Sequence, residues 1–198
     1  MNNQQRKNRI LIITLFGMSI IPFLIAFVLK ENPSFLTGKT NYGQLIIPPV
    51  TTERNELSGY DRFSQEHLGE LSGHWLIVNV VPGKECNAVC RDAIYNSRQM
   101  QLMMNKDLLR TRRVVLLMSD VAPETASRWW QNDKALLRVK PNDTFIKKIV
   151  GIRSGRVPDG MLLLMDPLGN IMMQYEPGFD PYQVKSDLSH LLKVSQIG

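Results

Sequence analysis

The stretch Gly73–Cys90 reads GHWLIVNVVPGKECNAVC, and its reading decides the fold. HWLIVNVV (74–81) packs β-branched and aromatic residues into eight consecutive positions, the signature of a buried strand. Pro82 and Gly83 then break the run, and the chain turns into a helix. Val89, Ala93, Met100, Met104 and Leu108 are spaced by 4, 7, 4 and 4, the apolar stripe of an amphipathic helix. RVVLLMSD (113–120) predicts a second buried strand, and Pro123 to Leu137 predicts a helix with proline near its first turn. MLLLMD, DPLGN and IMMQYE (161–176) form the pattern of a hairpin. Asp180 caps a last helix with Pro181 at its first position and Gln183 reaching back; its stripe is Val184, Leu188, Leu191 and Leu192. This order gives an α/β class, a central mixed sheet flanked by helices.

Working outward, residues 30–72 carry no sustained periodicity and read as an extended linker, within which NYGQLIIPPV (41–50) is apolar enough to pair or dock on the domain of 73–198. Upstream, Ile10 to Leu29 is an uncharged apolar run. About 20 such residues, rising 1.5 Å each, cross a hydrocarbon core about 30 Å thick. The expected organisation is therefore a cytoplasmic stub (1–9), a transmembrane helix (10–29), a linker and one domain. Arg6, Lys7 and Arg9 precede the run, while Lys30 and Glu31 after it cancel. The positive-inside rule then places the N-terminus in the cytoplasm and the domain outside, on the periplasmic side of an inner membrane. The run ends in FVLKENP, without the small-residue site of a cleaved signal peptide.

The formal charge of +6 is concentrated at that end: beyond residue 30 there are 20 basic and 18 acidic residues. That balance is not the footprint of a nucleic-acid binder. Both cysteines of the chain, Cys86 and Cys90, sit at the strand-to-helix turn. A helix start stabilises a thiolate, lowering a thiol's pKa and sharpening it as nucleophile and ligand. Four residues apart on a helix, the two side chains share one face. Such a pair suits a redox disulfide or cuprous copper, and both cysteines falling at this one turn favour such chemistry over an inert structural disulfide or two buried apolar residues.

GHWLIVNVVPGKECNAVC, with the long helix after it and continuing through RVVLLMSD to MLLLMDPLGN, resembles the Sco (SenC/PrrC) branch of the thioredoxin superfamily over about residues 70–193. The resemblance implies a thioredoxin-like fold on a single N-terminal membrane helix. It also implies work on the copper site of cytochrome c oxidase, delivering copper or reducing the cysteines there. Cys86 and Cys90 match the family's two thiol ligands, with Cys86 the exposed thiolate and Cys90 its partner. The implied partners are the membrane and an oxidase subunit or another copper or thiol protein.

Two departures stand out. The family motif is C-P-x-x-C-P, and Asn87 and Arg91 occupy the proline places. The family's histidine ligand falls, by count from DPLG, on Val157-Pro158-Asp159-Gly160, which holds no histidine. Thioredoxin-like oxidoreductases carry a cis-proline near this point, a part open to Pro158. A metal-free membrane-tethered thiol–disulfide oxidoreductase and a non-catalytic scaffold are thus the rivals to a copper-handling factor. His67, His74 and His190 have no ligand spacing around them, and Met100, Met103, Met104, Met161, Met165, Met172 and Met173 fall on core faces. Trp129-Trp130 is a candidate docking pair with at least one ring on the core. Arg110, Arg112 and Arg113 read as a solvated basic loop, while Lys84 and Arg91 flank the cysteines opposite Glu85 and Asp92.

Overall fold

The computed structural model describes residues 3–32, 41–130 and 133–195. Residues 33–40 of the expected linker and 131–132 of the expected helix lie outside this description. The elements in chain order are α1 (Asn3–Glu31), β1 (Gln44–Thr51), β2 (Leu57–Gly59), α2 (Arg62–Glu66), β3 (Trp75–Val81), α3 (Ala88–Leu102), β4 (Thr111–Leu117), α4 (Pro123–Ala126), β5 (Leu137–Pro141), α5 (Asp143–Ile152), β6 (Leu162–Met165), β7 (Asn170–Tyr175) and α6 (Pro181–Val194). They fall into two units, Met1–Thr40 and Asn41–Gly198.

α1 is 29 residues long, about 44 Å at 1.5 Å per residue, which is enough to cross a membrane. Its hydroxyls are satisfied internally: Thr14 Oγ1 donates to the Ile10 carbonyl and Ser19 Oγ to that of Leu15.

In the second unit the strands form one seven-stranded sheet in the order β1-β7-β6-β3-β4-β5-β2. β3, β4 and β5 run parallel, and β6, β7, β1 and β2 are paired antiparallel. Every residue of β3 is buried because both faces of the sheet are covered. Leu76, Val78 and Val80 point to one face, with Val114, Leu116, Phe145 and Ile149. Trp75 and Ile77 point to the other, where α3 and α6 contribute Ala93, Met100, Val184, Leu188 and Leu192. The seven methionines named above are buried or half-buried in this packing. The stripe on α3 differs at its ends: Val89 is exposed, and the buried face runs Cys90, Ala93, Ile94, Ser97, Met100.

Residues 41–72 are not an extended linker; from Asn41 the chain belongs to the domain. β1 pairs with β7, as the apolar NYGQLIIPPV suggests, but only through its two ends. Pro48 and Pro49 have no N–H to give the ladder between them. The entry is fixed by Asp187, whose carboxylate accepts from the N–H groups of Tyr42 (3.1 Å) and Gly43 (2.8 Å) and from the Tyr175 hydroxyl (3.1 Å). Burial, with the adjacent Asp187 charge, pushes the Tyr175 phenol well above its ordinary value. A side chain at Gly43 would lie 2.5 Å from the Tyr175 ring.

The helix expected over 123–137 stops at Ala126, and Leu137 starts β5 instead. Leu137 and Val139 gain more by pairing with β4 and burying on the sheet than a longer helix would supply. The stretch after it, irregular by sequence, holds α5, capped by Asn142 Oδ1 accepting from the Phe145 N–H at 2.9 Å. On α6 the cap is Asp180, accepting from the Tyr182 N–H at 2.8 Å.

Glu56 ties β2 to α5, accepting from Lys148 Nζ at 2.6 Å and from the Glu53 N–H at 3.0 Å. Burial alone would raise this carboxyl, but the two hydrogen bonds and the Lys148 charge outweigh it and hold its pKa below the ordinary carboxylate value. A depressed folded pKa stabilises the fold above the unfolded value and ceases to do so as pH falls through the folded value. Glu56→Gln is therefore expected to flatten the acid side of the stability curve. In pH-dependent urea unfolding of the full chain in detergent, the variant should lose less stability than the parent between about pH 5 and pH 3.

Candidate functional site

β3 ends at Val81, and Pro82 to Cys86 form the turn that leads into α3. The helix begins at Ala88, so Cys86 lies two residues ahead of it and Cys90 lies in its first turn. Asn87 is the N-cap: its Oδ1 accepts from the Cys90 N–H at 3.0 Å. Arg91 Nη1 donates to the Cys86 carbonyl at 2.8 Å and so closes the turn from the helix side. The two places where the sequence departs from the C-P-x-x-C-P pattern are thus the two that hold this turn together.

Cys86 and Cys90 are joined in a disulfide, with Cα atoms 5.2 Å apart. Both are buried, Cys86 at 3% and Cys90 at 1% exposure, among Val81, Ile94, Val115, Leu117 and Trp130. The expected exposed Cys86 thiolate is therefore corrected: the turn folds its sulfur inward, bonded to that of Cys90.

The segment before β6 comes back across this turn. Asn87 Nδ2 donates to Asp159 Oδ2 at 3.0 Å. Gly160, at φ +82°, brings its backbone against Val89; a Cβ there would stand 2.9 Å from the Val89 carbonyl oxygen. Asp159 and Gly160 therefore meet the two residues that flank Ala88 between the cysteines. Pro158 does not take the cis-proline part, since Ile47–Pro48 is the only cis peptide among the described residues.

None of the histidines joins the site. His67 Nδ1 lies 2.8 Å from the Phe63 carbonyl oxygen, and His74 Nδ1 is 3.0 Å from those of Glu70 and Ser72. His190 is exposed on α6. Among the described residues no three His, Cys, Asp or Glu side chains gather into a metal-binding group. The segment 157–160, where the resemblance puts an imidazole, offers the carboxylate of Asp159. Two sulfurs bonded to each other and a hard carboxylate oxygen are a poor donor set for cuprous copper.

Arg112 and Arg113 are not in a solvated loop but in β4. Arg113 is 2% exposed and reaches under α3, donating to Asp133 Oδ2 (2.7 Å), Ser97 Oγ (3.2 Å) and the Ile94 carbonyl (3.3 Å). Asn79 Nδ2 donates to the same Ser97 hydroxyl at 3.0 Å. This polar cluster fixes α3, and with it Cys90, on the sheet. Sequence reasoning named Asn87 and the 157–160 segment but missed the capping, bonding and close-approach roles of Asn87, Asp159 and Gly160, and it read the buried Arg113 as solvated. Only Asn87 carried a local signal, as a cap-forming residue just before an apolar-periodic run.

The family model for a transmembrane-like, thioredoxin-like C-terminal domain matches residues 75–195. No curated protein matches the chain. Among solved structures, the apo Sco1 protein of Thermus thermophilus superposes with a TM-score of 0.53 at 13% identity, covering 78% of this chain and 99% of that one. Copper-bound ScoI of Bradyrhizobium japonicum gives 0.45 at 17% identity, covering 62% and 87%. The thioredoxin domain of a thiol-disulfide oxidoreductase from Bacteroides vulgatus gives 0.45 at 13%, covering 63% and 83%. At these identities the likeness is one of fold.

Proposed function

This chain belongs to the family of transmembrane-like, thioredoxin-like C-terminal domains, and from that premise we propose a membrane-anchored factor that exchanges thiols and disulfides through Cys86 and Cys90. It acts in the periplasm, held by α1 in the inner membrane with its N-terminus in the cytoplasm, and it serves cytochrome c oxidase assembly. The observation that carries the reading is the disulfide at the strand-to-helix turn, locked by Asn87 and Arg91 and overlaid by Asp159 and Gly160.

In exchange, a client thiolate attacks the Cys86 sulfur. The Cys86–Cys90 bond breaks as the mixed disulfide forms, and Cys90 leaves as a thiolate. Its place in the first turn of α3 stabilises that charge until it takes up a proton. A second client thiolate then attacks the mixed disulfide, so the client ends oxidised and the pair reduced. The reverse sequence reduces a client disulfide. Because both cysteines are buried, attack on Cys86 requires the 157–160 segment or the 82–87 turn to move.

That burial also favours a second reading, a scaffold whose disulfide is inert. Copper handling by the reduced pair is the third, with two thiolates and no imidazole at the expected place. The test equilibrates the full chain in detergent with glutathione redox buffers and counts free thiols after acid quenching. It is paired with oxidase assays of Cys86→Ser/Cys90→Ser in a deletion background. Thiols should appear in the native chain, and the double variant should fall to the activity of the deletion strain. Thiols that appear only after unfolding, with oxidase activity intact in the double variant, would establish the scaffold. Cuprous titration of the reduced chain against a chelator, lost in the double variant, would restore copper.

A further inference from the structure

Beside the disulfide a cleft of about 390 Å³ opens between α3 and the turn after α4. On one wall Arg91, Tyr95 and Arg98 follow at separations of four and three along the exposed face of α3. Arg128 and Trp129 form the other wall. Trp130 closes the floor, held between the edge of Tyr60 (6.4 Å) and the Arg138 guanidinium (5.6 Å), and belongs to the same apolar cluster as both cysteines. The Trp129 ring stands perpendicular to it at 5.9 Å.

The charges here do not cancel. Of the two carboxylates on the cleft, Asp133 is neutralised by Arg113 beneath it, which leaves Asp92 against three arginines. Arg91 is spent in part on the Cys86 carbonyl. Neither Arg98 nor Arg128 pairs with a carboxylate among the described residues. Guanidinium forks recognise carboxylates two bonds at a time, and exposed aromatic faces take apolar side chains beside them.

We propose that this cleft seats a segment of the client protein that alternates acidic and apolar side chains, and so delivers the client's thiols to Cys86–Cys90. The inference rests on the exchange reading above for its purpose, but the binding itself needs no reactive cysteine.

The experiment titrates the full chain in nonionic detergent with a short peptide alternating glutamate and leucine, followed by tryptophan fluorescence, beside its lysine–leucine counterpart. Saturable binding of the acidic peptide alone is expected, weakening with added salt. Arg98→Glu/Arg128→Glu, both exposed positions, should bind at least about tenfold more weakly, since charge reversal at a complementary patch turns attraction into repulsion. Tyr95→Ala should weaken it further without touching charge. Cys86→Ser/Cys90→Ser should bind as the parent does, so a chain inert in thiol exchange would still pass. No saturable binding, equal binding by the charge-reversed variant, or equally tight binding of oligothymidylate would overturn the proposal while leaving thiol exchange untouched.

Discussion

Replacing Asp133 with alanine is expected to destabilise the folded domain by about 3–5 kcal/mol, the range for removing one partner of a buried ion pair. The size follows from what remains behind. Arg113 stays charged at 2% exposure, with only the Ser97 hydroxyl and the Ile94 carbonyl as acceptors. Burial pushes the Arg113 guanidinium below its ordinary pKa, and Asp133 is what pulls it back. Urea unfolding of the full chain in detergent, read by tryptophan fluorescence, measures the loss. Arg113→Met/Asp133→Ala removes the stranded charge together with its partner and should recover most of it. If the double variant is as unstable as Asp133→Ala alone, the stranded Arg113 charge is not the source of the loss.

This pair shows why part of the molecule was hidden in the sequence. A run of arginines ahead of a strand looks solvated, because nothing local supplies a counter-charge. The partner lies 20 residues on, beyond β4 and α4, and only the fold brings it under α3. The same holds for Leu137 and Val139. Their helix-like continuation from Pro123 is overridden by hydrogen bonding to a neighbouring strand, which no window of sequence contains. Where the local pattern and the tertiary demand agree, the reading was direct. β3, the hairpin of β6 and β7, and α6 have one-sided or fully buried patterns that leave no competing period.

The site divides along the same line. That Cys86 and Cys90 sit at one turn is visible in the chain, because strand, turn and helix are contiguous there. Their burial is not visible, since it depends on Val115 and Leu117 from β4 and on Trp130. Nor is the approach of residues 157–160, whose contact with the turn spans 72 residues between Asn87 and Asp159. The family pattern led to that segment by its missing histidine, and what stands there is a carboxylate that bonds the helix cap.

Gly160→Ala is expected to speed reduction of the Cys86–Cys90 disulfide by dithiothreitol at least about tenfold, the rate factor of a 1.4 kcal/mol change in the opening needed for attack. Gly160 sits at φ +82°, where an L side chain costs about 1–2 kcal/mol. The added Cβ would also meet a backbone carbonyl, that of Val89, at 2.9 Å, and a backbone oxygen in the first turn of α3 cannot swing aside as a side-chain tip would. The segment 157–160 must therefore lift from the turn, loosening the Asn87–Asp159 bond with it. Asp159→Ala deletes that bond without forcing the backbone and should accelerate reduction by a smaller factor. Stopped reactions of the full chain in detergent, alkylated and weighed by mass spectrometry, give the rates. If Gly160→Ala lowers stability yet leaves the reduction rate at the parental value, the segment is packing alone. Then the 82–87 turn, braced by Arg91, is the part that must open for a client to reach Cys86.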